Sequence, residues 1–333
     1  MKADSKPYHH VDGRFRNPPG SPPRSATAAQ WAGFLWRSFM RSRNLPEPPP
    51  GHVLDPAEAA AALDRFDGRD SLTWLGHASF LIRAGGKAIV TDPYLTDFAG
   101  PLDGFGPRRF AGPGLPIADL PEIDVLVLSH NHYDHLDARA LAALPGKESM
   151  TVVVPLRLGD FFRARGFRDV REVDWHDHVA VGDVTITALP AIHFSRRGLF
   201  DTNKTLWMSV AVTAPGQRLF FSGDTAYGPV FAEIGDRYGP FDTALIGIGA
   251  YEPQSIMRAS HSTPEEAVRM ARDLRADTVV GMHWGTVVLT DEPPFEPPER
   301  FRRAAQAAGF DDERVWLMKI GETRALPRAW PSN

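Results

Sequence analysis

Ser129-His130-Asn131-His132-Tyr133-Asp134-His135 stands directly after the apolar run Asp124–Leu128. An apolar run that breaks off into three histidines and an aspartate reads as a buried β-strand delivering a loop of ligand-type side chains. His130 and His132 can leave the strand end on one side with Asp134 and His135 close behind, so four ligand groups converge from one short segment. Neutral imidazole with carboxylate suits Zn2+, with Fe or Mn as alternatives when the carboxylate share rises.

Three isolated residues repeat the pattern. His193 follows Val184–Leu189 and Pro190, Asp224 follows Arg218–Phe221, and His283 follows Thr278–Met282. Each lies just past an apolar strand, on the side where open α/β sheets place their ligands. Together with the first segment they form an ordered set of five histidines and two aspartates.

Composition narrows the chemistry further. The 333 residues include 37 Lys+Arg, 41 Asp+Glu and 12 His, with a net charge of −4 and no Cys. The absence of cysteine excludes disulfides, thiolate zinc sites, iron–sulfur clusters and a cysteine nucleophile. A slightly acidic balance gives no support to bulk attraction to nucleic acid. No secretory signal and no apolar run of membrane-spanning length is found, so the expected location is the cytoplasm.

Residues 1–50 read as a proline-rich N-terminal arm and residues 51–333 as one domain. Within the arm, Trp31, Phe34, Leu35, Phe39 and Met40 follow helical spacing with Arg37, Arg41 and Arg43 interleaved. Such an amphipathic helix either packs on its own domain or makes peripheral contact with a membrane surface. From Ser71 onward, strands are expected at Leu72–Leu75, Phe80–Ile82, Ala88–Thr91, Asp124–Leu128, Thr151–Val154, Val170–Val173, Val184–Leu189, Trp207–Val212, Arg218–Phe221, Ala244–Ile248, Thr278–Met282 and Val315–Ile320. Helices are expected over 157–165, 229–237, 264–276 and 298–308, and Asp137 can cap another. Thr263, Pro264 and Glu266 spell a capping box for the third of these helices.

The segments Phe80–Asp92 and Ser209–Asp224 echo each other: strand, glycine-bearing turn, apolar strand, aspartate. Two β-rich halves with helices outside imply two sheets packed face to face and covered on both sides.

The pattern HxHxDH at His130, His132, Asp134 and His135, followed by single His193, Asp224 and His283, resembles the metallo-β-lactamase fold superfamily of metal-dependent hydrolases. That resemblance implies an α/β, four-layer αββα sandwich. It also implies one metal on His130, His132 and His193, a second on Asp134, His135 and His283, and Asp224 bridging. Further motifs are similar to the branch containing N-acylphosphatidylethanolamine-hydrolysing phospholipase D: Trp74-Leu75-Gly76-His77-Ala78-Ser79-Phe80, Thr91-Asp92-Pro93, His193 before Phe194-Ser195-Arg196-Arg197, Gly249-Ala250-Tyr251-Glu252-Pro253 and His283-Trp284-Gly285-Thr286. The matching region runs roughly from residue 71 to 290.

The expected activity is therefore dinuclear, metal-dependent hydrolysis of a phosphodiester by hydroxide attack, on a small-molecule or lipid substrate, with no protein nucleophile. Catalytic roles fall to Asp134, Asp224 and His261, the last beside the capping box and implied by the resemblance to approach the substrate phosphate. Asp92 is a candidate acceptor for the outer N–H of a ligand histidine. His77 reads as a hydrogen-bonded core histidine and stays off the ligand set. Tyr133 and Tyr251 are candidates for packing or for contact with a substrate oxygen, and His176 and His178 are expected to face solvent. The N-terminal helix with Phe98, Phe105, Phe110 and Phe194 could furnish an acyl channel. The alternatives are a lactonase or other carbonyl-ester hydrolase on the same metals, or a metal-stabilised binding protein without turnover.

Overall fold

A computed structural model describes residues 7–41 and 44–327. An N-terminal hairpin of β1 (His10–Val11) and β2 (Arg14–Phe15) precedes α1 (Ala28–Arg41) and α2 (Pro56–Asp64). Strands β3 (Ser71–Gly76), β4 (Ser79–Ala84), β5 (Lys87–Thr91), β6 (Val125–Val127), β7 (Thr151–Pro155) and β8 (Asp169–Val173) follow, with α3 (Ala138–Ala143) and α4 (Gly159–Arg163) among them. The second half contains β9 (His178–Val181), β10 (Val184–Leu189), β11 (Ser209–Ala214), β12 (Gln217–Phe221), β13 (Phe241–Gly247), β14 (Ala276–Met282) and β15 (Val315–Trp316). Its helices are α5 (Val230–Tyr238), α6 (Gln254–Met257), α7 (Pro264–Asp273) and α8 (Glu296–Ala307), and β16 (Thr323–Ala325) returns to the first sheet.

The strands form two seven-stranded sheets, ordered β16-β3-β4-β5-β6-β7-β8 and β15-β14-β13-β12-β11-β10-β9. Side chains alternate between two burials, as period-two geometry requires. Phe80, Ile82, Ile89, Val125, Val127 and Val153 enter the core between the sheets. Leu81, Val90, Leu126, Val152 and Val154 enter a second core on the outer face of the first sheet. Burial on both faces explains why β6 and β7 read as unbroken apolar runs. On the far side, Phe231, Val268, Ala271 and Phe301 of α5, α7 and α8 cover the second sheet. The result is a four-layer αββα sandwich, the architecture that the resemblance implies.

The internal echo has a structural counterpart. β4 and β5 pair antiparallel, β5 continues parallel to β6, and Asp92 follows β5. β11 and β12 pair antiparallel, β12 continues parallel to β13, and Asp224 stands at the corresponding strand end. The first hairpin turns on Gly85 and Gly86, whose φ angles of 57° and 72° are those a two-residue hairpin loop demands of both central positions.

Several element boundaries differ from expectation. The helix expected over 157–165 shrinks to Gly159–Arg163. The last expected strand covers only Val315–Trp316, while Ile320 instead bridges to Val53. The strand expected from Trp207 begins at Ser209, because Met208 N–H turns to the Ser129 carbonyl and the Trp207 indole to that of Ala191. The short elements β1, β2, β9, β16 and α6 carry too few residues for a periodic signal, and the alanine-rich α2 offers little contrast between its faces. Residues 7–27 cross the domain surface: Phe15 is buried, and Asn17 Oδ1 accepts from His193 N at 2.9 Å and from Trp207 Nε1 at 3.0 Å.

Candidate metal centre

Each predicted ligand follows the C-terminal end of a strand. The 129–135 loop follows β6, His193 follows β10, Asp224 follows β12 and His283 follows β14. Gly223, with φ 53°, lets β12 end against this loop: a Cβ there would stand 2.6 Å from Ser129 Cβ. The structure brings all seven residues together.

They form two groups that share Asp224. In the first, His130 Nε2 and His193 Nε2 lie 2.8 and 3.1 Å from His132 Nδ1, and each lies 3.8 Å from Asp224 Oδ2. In the second, His135 Nε2 lies 3.1 Å from Asp224 Oδ2 and 3.6 Å from Asp134 Oδ2. His283 Nε2 lies 3.2 Å from Asp224 Oδ1 and 3.6 Å from Asp134 Oδ2. Donors about 2.1 Å from a tetrahedral ion stand about 3.4 Å apart, so these spacings match donors gathered around cations.

Buried polar atoms normally find partners. Here His135 Nε2, His283 Nε2 and Asp224 Oδ1 are buried without an aligned hydrogen-bond partner among the described residues. All three atoms face the shared centre. Unpartnered donors aimed at one point, drawn from imidazole and carboxylate alone, fit divalent cations such as Zn2+.

Supporting groups fix the imidazoles. Asp92 Oδ1 accepts from Ser129 N at 2.6 Å, while its Oδ2 accepts from Ser129 Oγ at 2.5 Å and from His135 Nδ1 at 2.7 Å. His193 Nδ1 donates to the Ser260 carbonyl at 2.8 Å. In both rings the outer nitrogen holds the proton and leaves Nε2 free to bind. His77, Asp92 and His283 have φ of 55°, 35° and 63°, left-handed values at non-glycine positions. Such conformations persist where the surroundings over-determine them.

Electrostatics follow from burial and proximity. Burial, reinforced by neighbouring imidazoles, holds His130 well below its ordinary pKa. Burial also pushes His132 down to about 4 against the opposing pull of Asp134 and Asp224. Burial would raise Asp134 and Asp224, but the surrounding imidazoles, His135 foremost, hold both well below the usual carboxylate range. Burial would lower His283, but Asp224 and Asp134 raise it to about 9. The carboxylate pair therefore stays ionised and attracts positive charge.

His261 follows α6 and precedes the α7 capping box, in which Thr263 N donates to Glu266 Oε2 at 3.0 Å and Glu266 N to Thr263 Oγ1 at 3.2 Å. Its ring lies 5.1 Å from His193 and 5.6 Å from His283. Burial pushes it down to about 4, so it is a neutral imidazole at neutral pH. His77 is the buried, hydrogen-bonded histidine expected; what sequence reasoning missed is its partner, Asp134 Oδ2, 3.0 Å from His77 Nε2. The strand-like context of WLGHASF offered no signal of that contact.

A cavity of about 770 Å³ opens above the centre. His132, Asp134, Asp224 and His261 form its floor, while Trp31, Phe34, Phe194, Ile256 and Met257 form an apolar wall. Arg24 lies over the Phe194 ring at 4.7 Å and also faces the cavity. Of the four phenylalanines read as an acyl channel, only Phe194 lines it. Phe110 packs on Phe295, Phe98 lies beneath Arg108, and Phe105 is exposed on the surface. Tyr133 lines the cavity with its hydroxyl on the Arg197 carbonyl at 3.0 Å. Tyr251 is buried away from it and donates to Glu296 at 3.0 Å. His176 and His178 are exposed.

Helix α1 is both packed and open. Phe34 sits on Ile256 and Met257, and Arg37 and Arg41 pair with Asp291, whereas Trp31, Leu35, Trp36, Phe39 and Met40 are exposed. Arg43 lies outside the described residues. No helix among the described residues is long and apolar enough to cross a membrane.

Residues 87–284 match the family model described as the beta-lactamase superfamily domain. An uncharacterised protein of Mycobacterium tuberculosis is 40% identical over 243 residues, which cover 72% of this chain and 64% of that protein. The chain thus spans less than two thirds of that relative's length. N-acyl-phosphatidylethanolamine-hydrolyzing phospholipase D 1 of Caenorhabditis elegans is 40% identical over 247 residues, covering 71% of this chain and 69% of that protein. Among solved structures, isothiocyanate hydrolase from Delia radicum gut bacteria aligns with a TM-score of 0.62 at 22% identity, over 77% of this chain and 98% of that one, a likeness of fold.

Proposed function

This chain belongs to the beta-lactamase superfamily of metal-dependent hydrolases, and from that premise we propose that it cleaves a phosphodiester, in the manner of a phospholipase D, on two divalent ions. The observation that supports the reading best is the position of Asp224. Its Oδ2 faces His130 and His193, and its Oδ1 faces His283, on the floor of an apolar-walled cavity. In this reading His130, His132 and His193 would hold one ion, Asp134, His135 and His283 would hold the other, and Asp224 would serve both. Zn2+ suits the donor set, with Fe or Mn as alternatives. Ions held there supply water activation near neutral pH and neutralise charge on the phosphoryl oxygens.

The protein's own groups do the rest. Asp92 and the Ser260 carbonyl hold His135 and His193 with their Nε2 atoms inward. Asp134 and Asp224 offset part of the cationic charge. His261, as a neutral imidazole on the cavity floor, donates an N–H to a phosphoryl oxygen. Trp31, Phe34, Phe194, Ile256 and Met257 exclude water from the floor and offer a surface to acyl chains, which favours an N-acyl phospholipid or another lipidic diester. The exposed aromatic side of α1 suits peripheral contact of a cytoplasmic enzyme with a bilayer.

The test is metal analysis of the full chain together with hydrolysis of bis(4-nitrophenyl) phosphate, vesicle-borne N-acylphosphatidylethanolamine and a simple lactone. Two equivalents of metal and turnover of the diesters are expected, with Asp224→Asn and His261→Ala each losing about a hundredfold or more. Turnover of the lactone alone would make the protein a carbonyl-ester hydrolase. Bound metal with no turnover of any substrate would make it a binding protein.

A further inference from the structure

Two motifs meet behind the centre. Trp74-Leu75-Gly76-His77-Ala78-Ser79-Phe80 turns from β3 into β4 at His77, and His283-Trp284-Gly285-Thr286 leaves β14. His77 N–H donates to Thr286 Oγ1 at 2.9 Å, and the His77 carbonyl accepts from Trp74 Nε1 at 3.0 Å and from His283 N at 3.1 Å. Its backbone therefore grips the motif that carries one member of the second donor group. Its side chain reaches another member: Nε2 lies 3.0 Å from Asp134 Oδ2, and the ring centroid lies 3.9 Å from that of His283. The residue is 1% exposed and has a φ of 55°, which glycine adopts freely and a histidine only under constraint.

We infer that His77 is a positioning residue for the second half of the centre: its Nε2–H donates to Asp134 Oδ2 and fixes the carboxylate that, with His135, His283 and Asp224, faces one ion. The inference rests on the two-ion reading above. Satisfaction separates this role from ligation by His77 itself. His77, Asp134, His135 and His283 all place a donor atom within 4.8 Å of one another. Within that group the atoms without a partner among the described residues belong to His135 and His283, whereas His77 Nε2 is spent on Asp134. Nothing comparable ties His77 to the group of His130, His132 and His193. Loss of the hydrogen bond therefore weakens one ion and spares the other.

The experiment measures stepwise Zn2+ affinity of the chelator-dialysed full chain by competition with a chromogenic chelator, with thermal melting as a check of folding. The variants are His77→Ala, His77→Asn and His77→Gln. Asn tolerates the left-handed backbone but does not reach Asp134, whereas Gln places an N–H donor near the position of the imidazole Nε2. The wild type is expected to bind two equivalents. Ala and Asn lower the affinity of one equivalent by about 10–100-fold and leave the other unchanged, and Gln restores most of the loss. Wild-type affinity in all three variants would overturn the inference. So would parallel weakening of both equivalents, or a Gln variant as weak as Asn, which would make His77 a ligand. A single equivalent in the wild type would overturn the two-ion reading and this inference with it. Hydrolysis is not read, so an error in the substrate class leaves the result intact.

Discussion

Asp92 Oδ2 stands 2.7 Å from His135 Nδ1, with both side chains fully buried. The same carboxylate takes the N–H and hydroxyl of Ser129 at the start of the histidine loop. Asp92→Asn removes an anionic acceptor behind His135 and can present an N–H in its place. Zn2+ affinity should fall about 10–100-fold, with hydrolysis falling in parallel at sub-saturating metal and recovering in part at excess metal. Equal affinity in the two proteins, measured by chelator competition, would show that the contact carries no load.

Removing metal should destabilise the protein. Ions that bind only the folded chain add about 2.7 kcal/mol when present at a hundred times Kd, which corresponds to a shift of several degrees in Tm. Dialysis against a chelator should therefore lower the melting temperature, and added Zn2+ should restore it. Asp224→Asn, which alters the carboxylate between both groups, should blunt the response in differential scanning fluorimetry.

Arg24 faces the cavity with no ion-pair partner among the described residues, its guanidinium over Phe194. A surface cation meeting an anionic diester contributes about 1 kcal/mol. Arg24→Ala should raise KM about fivefold with kcat unchanged, and the difference should shrink in 0.5 M salt. Steady-state kinetics at two salt concentrations decide it.

Leu35 and Trp36 are 61% and 64% exposed on α1, away from the Phe34 contact. The double change Leu35→Asp and Trp36→Asp should abolish co-sedimentation with phosphatidylglycerol vesicles while hydrolysis of bis(4-nitrophenyl) phosphate stays within twofold. Retained co-sedimentation would remove α1 from the membrane contact.

Asp174 anchors the N-terminal hairpin by accepting from His9 Nε2 at 2.6 Å and His10 Nε2 at 2.7 Å. Burial alone would raise its pKa, but those hydrogen bonds and the Trp175 N–H lower it. A depressed carboxylate stabilises the folded form above its ordinary pKa of about 3.9 and loses that contribution as pH falls through its folded value. Amide protection of residues 9–17, corrected for intrinsic exchange, should drop below about pH 4. Asp174→Asn should show the same loss at pH 7 by hydrogen-exchange mass spectrometry.

The positions of the clustered histidines and aspartates were legible because apolar runs fix strand ends and each cluster member follows one. β6, β10, β12 and β14 all announce themselves, and His130, His193, Asp224 and His283 fall just beyond them. The partner of His77 was not legible, since the contact depends on a left-handed turn and a carboxylate 57 positions away. Tyr251 sits in a suggestive motif yet turns inward to Glu296, because a helix formed 45 positions later supplies its acceptor. Phe98, Phe105 and Phe110 share the hydrophobicity of Phe194 but not its place beside His132. Composition registers apolar area and not the wall that receives it.

Asn17 carries a consequence for the newborn chain. It caps the His193 amide from 176 positions upstream. At about 5–20 residues per second, the ribosome leaves Asn17 without its partner for roughly 10–35 s. Strand β3 waits longer, since it gains its edge neighbour β16 only when Thr323 pairs with Thr73. The arm leaves the ribosome before the domain, and its contact with His193 closes only after β3–β8 of the first sheet have been made.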